Sequence, residues 1–157
     1  MIKLYRFSQA LKECWETWED GDGNHTVHWG ELGSRGQHKT VTSGLWRNAQ
    51  AIVQKERDAK IAEGFAERDE DAHAVLLVEY AIQGMGSAAD LDKRHRLEER
   101  LGDTLGWTGL GACDGGSIGR GTMEACVYVV DAELAKNVIA ADLAGTEFAD
   151  YTRIYEE

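Results

Sequence analysis

The stretch Val27-His28-Trp29-Gly30-Glu31-Leu32-Gly33-Ser34-Arg35-Gly36-Gln37 decides the fold of the first half of this 157-residue chain. Residues 26–29 alternate in polarity as a strand does. Gly30, Gly33 and Gly36 then recur at every third position, and glycine takes a positive φ at no steric cost, so the segment predicts a tight turn. Residues 38–42 resume a strand. Upstream, Asp20-Gly21-Asp22-Gly23-Asn24 is strong turn chemistry after an alternating run at 14–18, and Met1 to Phe7 alternates as well. Downstream, Ser43 is placed to cap a helix over residues 44–66, with Trp46, Ala49, Ile52 or Val53, Ala59 and Ile61 as its apolar stripe. The expectation is a small antiparallel sheet with one long helix, over residues 1–68.

The charged run Ala66-Glu67-Arg68-Asp69-Glu70-Asp71 marks a boundary, and residues 72–157 predict a second module. Residues 74–83 are rich in strand formers and too short to span a bilayer. Ser87 and Asp90 have the spacing of a capping box, and Leu97, Leu101 and Leu105 define a helical face ending near Gly106. A short strand at 111–114 and a longer one at 123–130 flank a glycine-rich turn. Asp131 caps a second helix carrying Leu134, Val138, Ala141 and Ala144, and residues 148–155 close with a strand. The order βαββαβ is that of the ferredoxin-like arrangement. The fold class is therefore α+β, in two modules.

Composition excludes several classes. Hydrophobic content of 43% with 29% charged residues is that of a globular chain. There is no proline, hence no Pro-rich docking motif. No apolar run approaches the roughly 20 residues of a membrane span, the N-terminus has no signal-peptide core, and three cysteines without CxxC spacing suit a reducing compartment. A cytoplasmic protein is expected. The net charge of −11 is unevenly divided: residues 1–66 carry nine Lys/Arg and nine Asp/Glu, so the whole excess lies in 67–157. Within the first module, residues 35–60 sum to +4. The two halves therefore present different electrostatic surfaces.

Residues 12–66 resemble a WGR domain, the small sheet-plus-helix domain of DNA-dependent poly(ADP-ribose) polymerases and of bacterial regulators. The resemblance is carried by Trp15-Glu16-Thr17-Trp18, by Val27 through Gln37, and by Lys60-Ile61-Ala62-Glu63-Gly64-Phe65 before the boundary. In DNA-binding members the motif tryptophan packs on a terminal sugar. The resemblance puts Trp29 at that position and Gly30 at the motif glycine. Glu31 stands where the family has arginine, which reverses a charge beside any phosphate and opposes binding.

Candidate chemistry follows from these placements. Trp29, Gly30, Arg35, Gln37, Lys39 and Lys55 together offer an aromatic platform and phosphate-binding cations, a surface for DNA or RNA; the alternative is that Trp29 is core and the lysines are solvated. The run 109–121 could form an anion nest with Gly116, Ser117 and Arg120, but it joins two strands and opens no helix, so a hairpin is the simpler reading. Cys14, His25 and His28 have no tetrahedral zinc spacing. Cys113 and Cys126 sit across the hairpin in sequence and are expected as buried thiols or, geometrically, a redox pair. No catalytic constellation, metal site or cofactor is expected. The leading expectation is a non-catalytic binding or regulatory protein whose first module contacts nucleic acid or a protein associated with it. The alternative is an inhibitor or antagonist whose acidic second module occupies a basic protein.

Overall fold

The computed structural model describes every residue from 1 to 157 except Glu70. The chain divides into two compact units, Met1–Asp69 and Glu70–Glu157.

In the first unit, β1 (Ile2–Phe7), β2 (Lys12–Glu19), β3 (His25–Glu31) and β4 (Gln37–Val41) form an antiparallel meander in the order β1-β2-β3-β4. Helix α1 (Ala49–Ala62) packs on one face. Leu4, Trp15, Val27, Val41, Ala49, Val53 and Phe65 make the core, with Ile2, Trp29 and Ile52 partly buried against it. The helix ends in a Schellman motif: Gly64 takes φ +96°, its N–H reaches Ile61 O at 3.0 Å, and the Phe65 N–H reaches Lys60 O at 3.0 Å. That turn sends Phe65 back into the core and pairs Ala66 with Tyr5 at the β1 edge.

Helix α1 starts at Ala49, five residues later than the sequence predicts, and its last residue is Ala62. Asn48 is the cap, its side chain accepting from Ala51 N at 3.1 Å. Ser43 instead bridges two segments, donating to Gly23 O at 3.0 Å and accepting from Ala49 N at 3.1 Å. Residues 44–47 are therefore a separate turn, and Trp46, expected on the helical stripe, is 99% exposed.

The second unit runs β5 (Ala74–Ala81), α2 (Ala88–Trp107), β6 (Gly111–Gly119), β7 (Thr122–Val129), α3 (Ala132–Leu143) and β8 (Arg153–Glu156). Its sheet order is β6-β7-β5-β8, every neighbouring pair antiparallel. That is the ferredoxin-like βαββαβ arrangement. Leu76, Val78 and Tyr80 of β5, with Met123, Ala125, Val127 and Val129 of β7, are buried along with the apolar helix positions. The expected capping box at Ser87 and Asp90 is present, and Leu97, Leu101 and Leu105 are all fully buried.

Four details differ from the sequence expectation. The buried stripe of α3 is Ala135, Ile139 and Leu143, while Leu134 and Val138 flank it and Ala141 and Ala144 are exposed. So many small apolar residues lie on this helix that two faces satisfy the same spacing. Helix α2 passes Gly106 and is capped at Thr108, whose hydroxyl donates to Thr104 O at 2.7 Å; the positive φ falls at Gly109. The closing strand is shorter than expected, because Phe148 lies in a turn where its carbonyl accepts the buried Tyr80 hydroxyl at 2.8 Å. The glycine run forms the hairpin expected of it, but strand β6 continues through residues 115–119, which the sequence reading assigns to the turn. A Cβ at Gly111 would lie 1.9 Å from Tyr128 O, and one at Gly116 2.0 Å from Glu124 O, so these glycines permit close strand approach. Only Arg120 and Gly121, both at positive φ, form the two-residue turn.

Candidate binding surfaces

The β3–β4 connection is built by close backbone contact. A Cβ at Gly30 would lie 2.7 Å from Gly36 Cα, and one at Gly36 2.4 Å from Trp29 O and 3.1 Å from the His28 ring. Beneath this contact His28 is fully buried. Its Nε2 lies 2.8 Å from Arg35 O, and its Nδ1 2.8 Å from Glu16 Oε1. A carbonyl only accepts, so the bond to Arg35 O is donated by Nε2. Glu16 is 4% exposed and also meets Lys3 at 3.0 Å. The Lys3–Glu16–His28 chain thus ties β1, β2 and β3 together and pins the loop at Arg35.

On the opposite face, Trp29 is paired in register with Trp15 on β2 and with Gln37 on β4. Lys39 lies two residues along β4 and shares the face of Gln37. Its ammonium stands 5.8 Å from the Trp29 ring centroid and 2.6 Å from Glu56 Oε1 of α1. Lys55 precedes Glu56 on the helix and is exposed, as are the side chains of Arg35 and Glu31. The structure therefore gathers Trp29, Gln37 and Lys39 on one face beside α1. It places Arg35 on the adjoining turn and uses Gly30 for close approach. The charge beside Trp29 is mixed, since Glu56 already neutralises Lys39.

Gly116, Ser117 and Arg120 do not converge. The Gly116 carbonyl accepts from Arg94 at 2.9 Å, the Ser117 hydroxyl donates to Glu124 Oε2 at 3.1 Å, and Arg120 sits in the hairpin turn. An anion nest would need backbone amides free to converge, whereas this run is paired strand with a carboxylate beside Ser117.

The cysteines are all free thiols. Register pairs Cys113 with Val127, so Cys113 faces α2, its Cβ position 3.9 Å from that of a side chain built at Gly102, while Cys126 points to the other face of the sheet. A redox pair is thereby ruled out by geometry. Burial pushes the Cys14 thiol up to about 11 and raises Cys113 and Cys126 as well. Cys14 lies opposite Gly30 on β2, both ring nitrogens of His28 are engaged, and among the described residues no three metal-capable side chains cluster.

Two surfaces escaped the sequence reading. The face of the second sheet away from the helices carries Val75, Leu77, Cys126, Tyr128 and Tyr155, matched across strands by the register. It is edged by polar ties. Arg153 forks onto Glu79 at 2.8 and 3.1 Å, and the Tyr155 hydroxyl donates to Glu124 at 2.7 Å, a bond that holds its pKa above the ordinary tyrosine range. The second surface is the turn at Leu45 and Trp46. The continuous apolar run of β5, which leaves both of its faces apolar, was the available signal for the first; nothing local distinguishes the second from a helix start.

Comparison with known proteins finds no matching family model, curated protein or solved structure.

Proposed function

We propose that this is a non-catalytic binding protein whose first, WGR-like unit contacts nucleic acid, or a protein seated on it, along the β4 side of its sheet. The observation that supports this reading is the shared face of Trp29, Gln37 and Lys39, next to Arg35 on the turn and Lys55 on α1. An aromatic ring with a cation above it and an amide beside it suits a sugar-phosphate end. Binding here requires Lys39 to exchange Glu56 for phosphate, and Glu31 adds repulsion, so affinity is modest and strongly salt-dependent. Free cysteines are consistent with a cytoplasmic setting, which belongs to the same proposal.

Fluorescence anisotropy with nicked, blunt and single-stranded DNA and with RNA tests this at low salt. Binding is expected to fall steeply as salt rises, to be lost in the Lys39→Glu/Lys55→Glu double variant, and to tighten in Glu31→Arg. Failure to bind any of the four at low salt ends the reading.

A second reading is that the acidic second unit engages a basic protein. The open sheet face favours it, because an apolar centre of Leu77, Cys126 and Tyr128 is edged by the Glu124 carboxylate and by the Arg153–Glu79 pair. A stable complex with a basic partner, weakened by Tyr128→Asp while the second unit stays folded, is its expected signature. Unchanged affinity in that variant would exclude the face.

A further inference from the structure

The open face of the second sheet already holds one guanidinium, and the way it does so is instructive. Arg153 lies 4.1 Å from the Tyr155 ring centroid and forks onto both carboxylate oxygens of Glu79, at 3.1 and 2.8 Å. A ring and a carboxylate thus hold it together. Arginine is the cation that such a pair suits, because its plane stacks on the ring while its edge meets the carboxylate.

Two strands away the same elements stand without a cation. Tyr128 on β7 is paired in register with Ala112 on β6 and with Val75 on β5. Both neighbours are small, so the ring stands clear of the sheet and is 39% exposed. Among the described residues no guanidinium or ammonium lies over it. Three carboxylates act on the same patch. Burial raises the pKa of the Cys126 thiol, and Asp114, Glu157 and Glu124 raise it further through space. Glu124 accepts from the Tyr155 hydroxyl at 2.7 Å and from the Ser117 hydroxyl at 3.1 Å. Among the described residues none of these three acids is in an ion pair.

Charge decides what covers this apolar centre. Arg153 is spent on Glu79, which leaves Asp114, Glu124 and Glu157 uncompensated. A second copy laid face to face would set like charges against like, and phosphate would be repelled. A basic segment gains twice, since its apolar side chains cover Leu77 and Cys126 while its cations meet the acids. We propose that the open sheet face docks a basic segment of a partner protein, one arginine of which stacks on Tyr128 and reaches Asp114 or Glu124, as Arg153 stacks on Tyr155 and reaches Glu79. The inference deepens the reading that the second unit engages a basic protein, and rests on it.

The test is titration of the isotope-labelled full chain, followed by two-dimensional amide NMR at low salt. The probes are a blocked decapeptide alternating leucine and arginine and its lysine and glutamate counterparts. The arginine peptide is expected to shift amides of β5, β6 and β7, to bind about threefold or more tighter than the lysine peptide, and to have no rival in the glutamate peptide. Tyr128→Leu should weaken it about threefold or more and erase the preference for arginine. Asp114→Asn, at an exposed position, should weaken it about threefold. Glu133→Gln removes the same charge on α3, away from this face, and should leave affinity within about twofold. The spectra of the variants show directly that each is folded. Shifts confined to other surfaces of the second unit, or affinity untouched by Tyr128→Leu, overturn this docking site while the basic-partner reading stands. Equal affinity for the two basic peptides overturns the arginine assignment. No binding by either basic peptide overturns both proposal and reading, and self-association mapped to this face overturns the proposal.

Discussion

Replacing His28 by alanine is expected to destabilise the first unit by about 4 kcal/mol. His28 is fully buried, and its ring makes one bond to a carbonyl and one to a carboxylate, both at 2.8 Å. A bond to a neutral acceptor contributes about 1 kcal/mol and one to a charged group about 1.5–3 kcal/mol. Their loss leaves Glu16, 4% exposed, with Lys3 as its remaining ion-pair partner. Removing one member of a buried pair costs about 3–5 kcal/mol, because the other charge stays desolvated. The two estimates describe the same event from opposite sides and are not added. The assay is urea unfolding followed by tryptophan emission, since Trp15, Trp18, Trp29 and Trp46, four of the five tryptophans, report on this unit. In a double-mutant cycle with Glu16→Ala the two losses should fall short of additivity by about 2 kcal/mol. Amide exchange at Ser34, bonded to Glu31 O at 3.1 Å, should quicken as the turn loses its tie at Arg35. A loss below about 1 kcal/mol, or strictly additive single substitutions, would refute this account of the buried pair.

Gly36→Ala should cost about 2 kcal/mol or more, since its φ of +61° and a Cβ 2.4 Å from Trp29 O leave no room, whereas Gly44→Ala, with nothing within 4 Å, should fall within about 0.5 kcal/mol of wild type; paired urea titrations compare them. Ser87→Ala should lower the stability of the second unit by about 1 kcal/mol in calorimetry. Hydrogen bonds from Ser87 hold the Asp90 carboxyl below its ordinary range, so the interaction is present at neutral pH and is lost as pH falls through that lowered value. The gap between wild type and Ser87→Ala should therefore narrow in acid. With its pKa pushed up to about 11, Cys14 is about 0.1% thiolate at pH 8. Mass spectrometry after alkylation should find Cys14 unmodified in the folded protein and labelled once urea opens the first unit.

Strands and their turns were legible where turn chemistry is local. The 20–24 segment and the every-third glycines fix β2, β3 and β4, and the Ser87–Asp90 spacing fixes the start of α2. The start of α1 was not legible, because Ser43 and Asn48 are both good cap residues and the choice depends on Gly23 and Asn24, some twenty positions away. Strand β6 was read as ending at 114, with its second half given to the turn, because Gly116 answers to a carbonyl on β7 and not to its own backbone. The pairing of Glu16 with His28 needed the register of β2 against β3, which alternation alone does not set. Of the surface candidates, Trp29, Gln37 and Lys39 came together because adjacent strands share a face. Gly116, Ser117 and Arg120 did not, because two are paired strand and one is turn.

The three residues Trp29, Gly30 and Glu31 answer to different constraints, which separates fold from binding. Trp29 packs opposite Trp15, and Gly30 has no room for a side chain beside Gly36. Glu31 contributes its backbone to the turn, its carbonyl accepting from Ser34 N at 3.1 Å and Ser34 Oγ at 2.7 Å, while its side chain is exposed. A substitution there leaves every such contact in place, and exposed substitutions usually change stability by less than about 0.5 kcal/mol. The fold therefore tolerates either charge at position 31, and resemblance in the first two positions carries no information about the third. Phosphate, by contrast, senses the third position directly. A stable Glu31→Arg variant that gains DNA affinity would place the determinant of binding in one solvent-facing side chain of a scaffold that the glycines and the buried His28 hold unchanged.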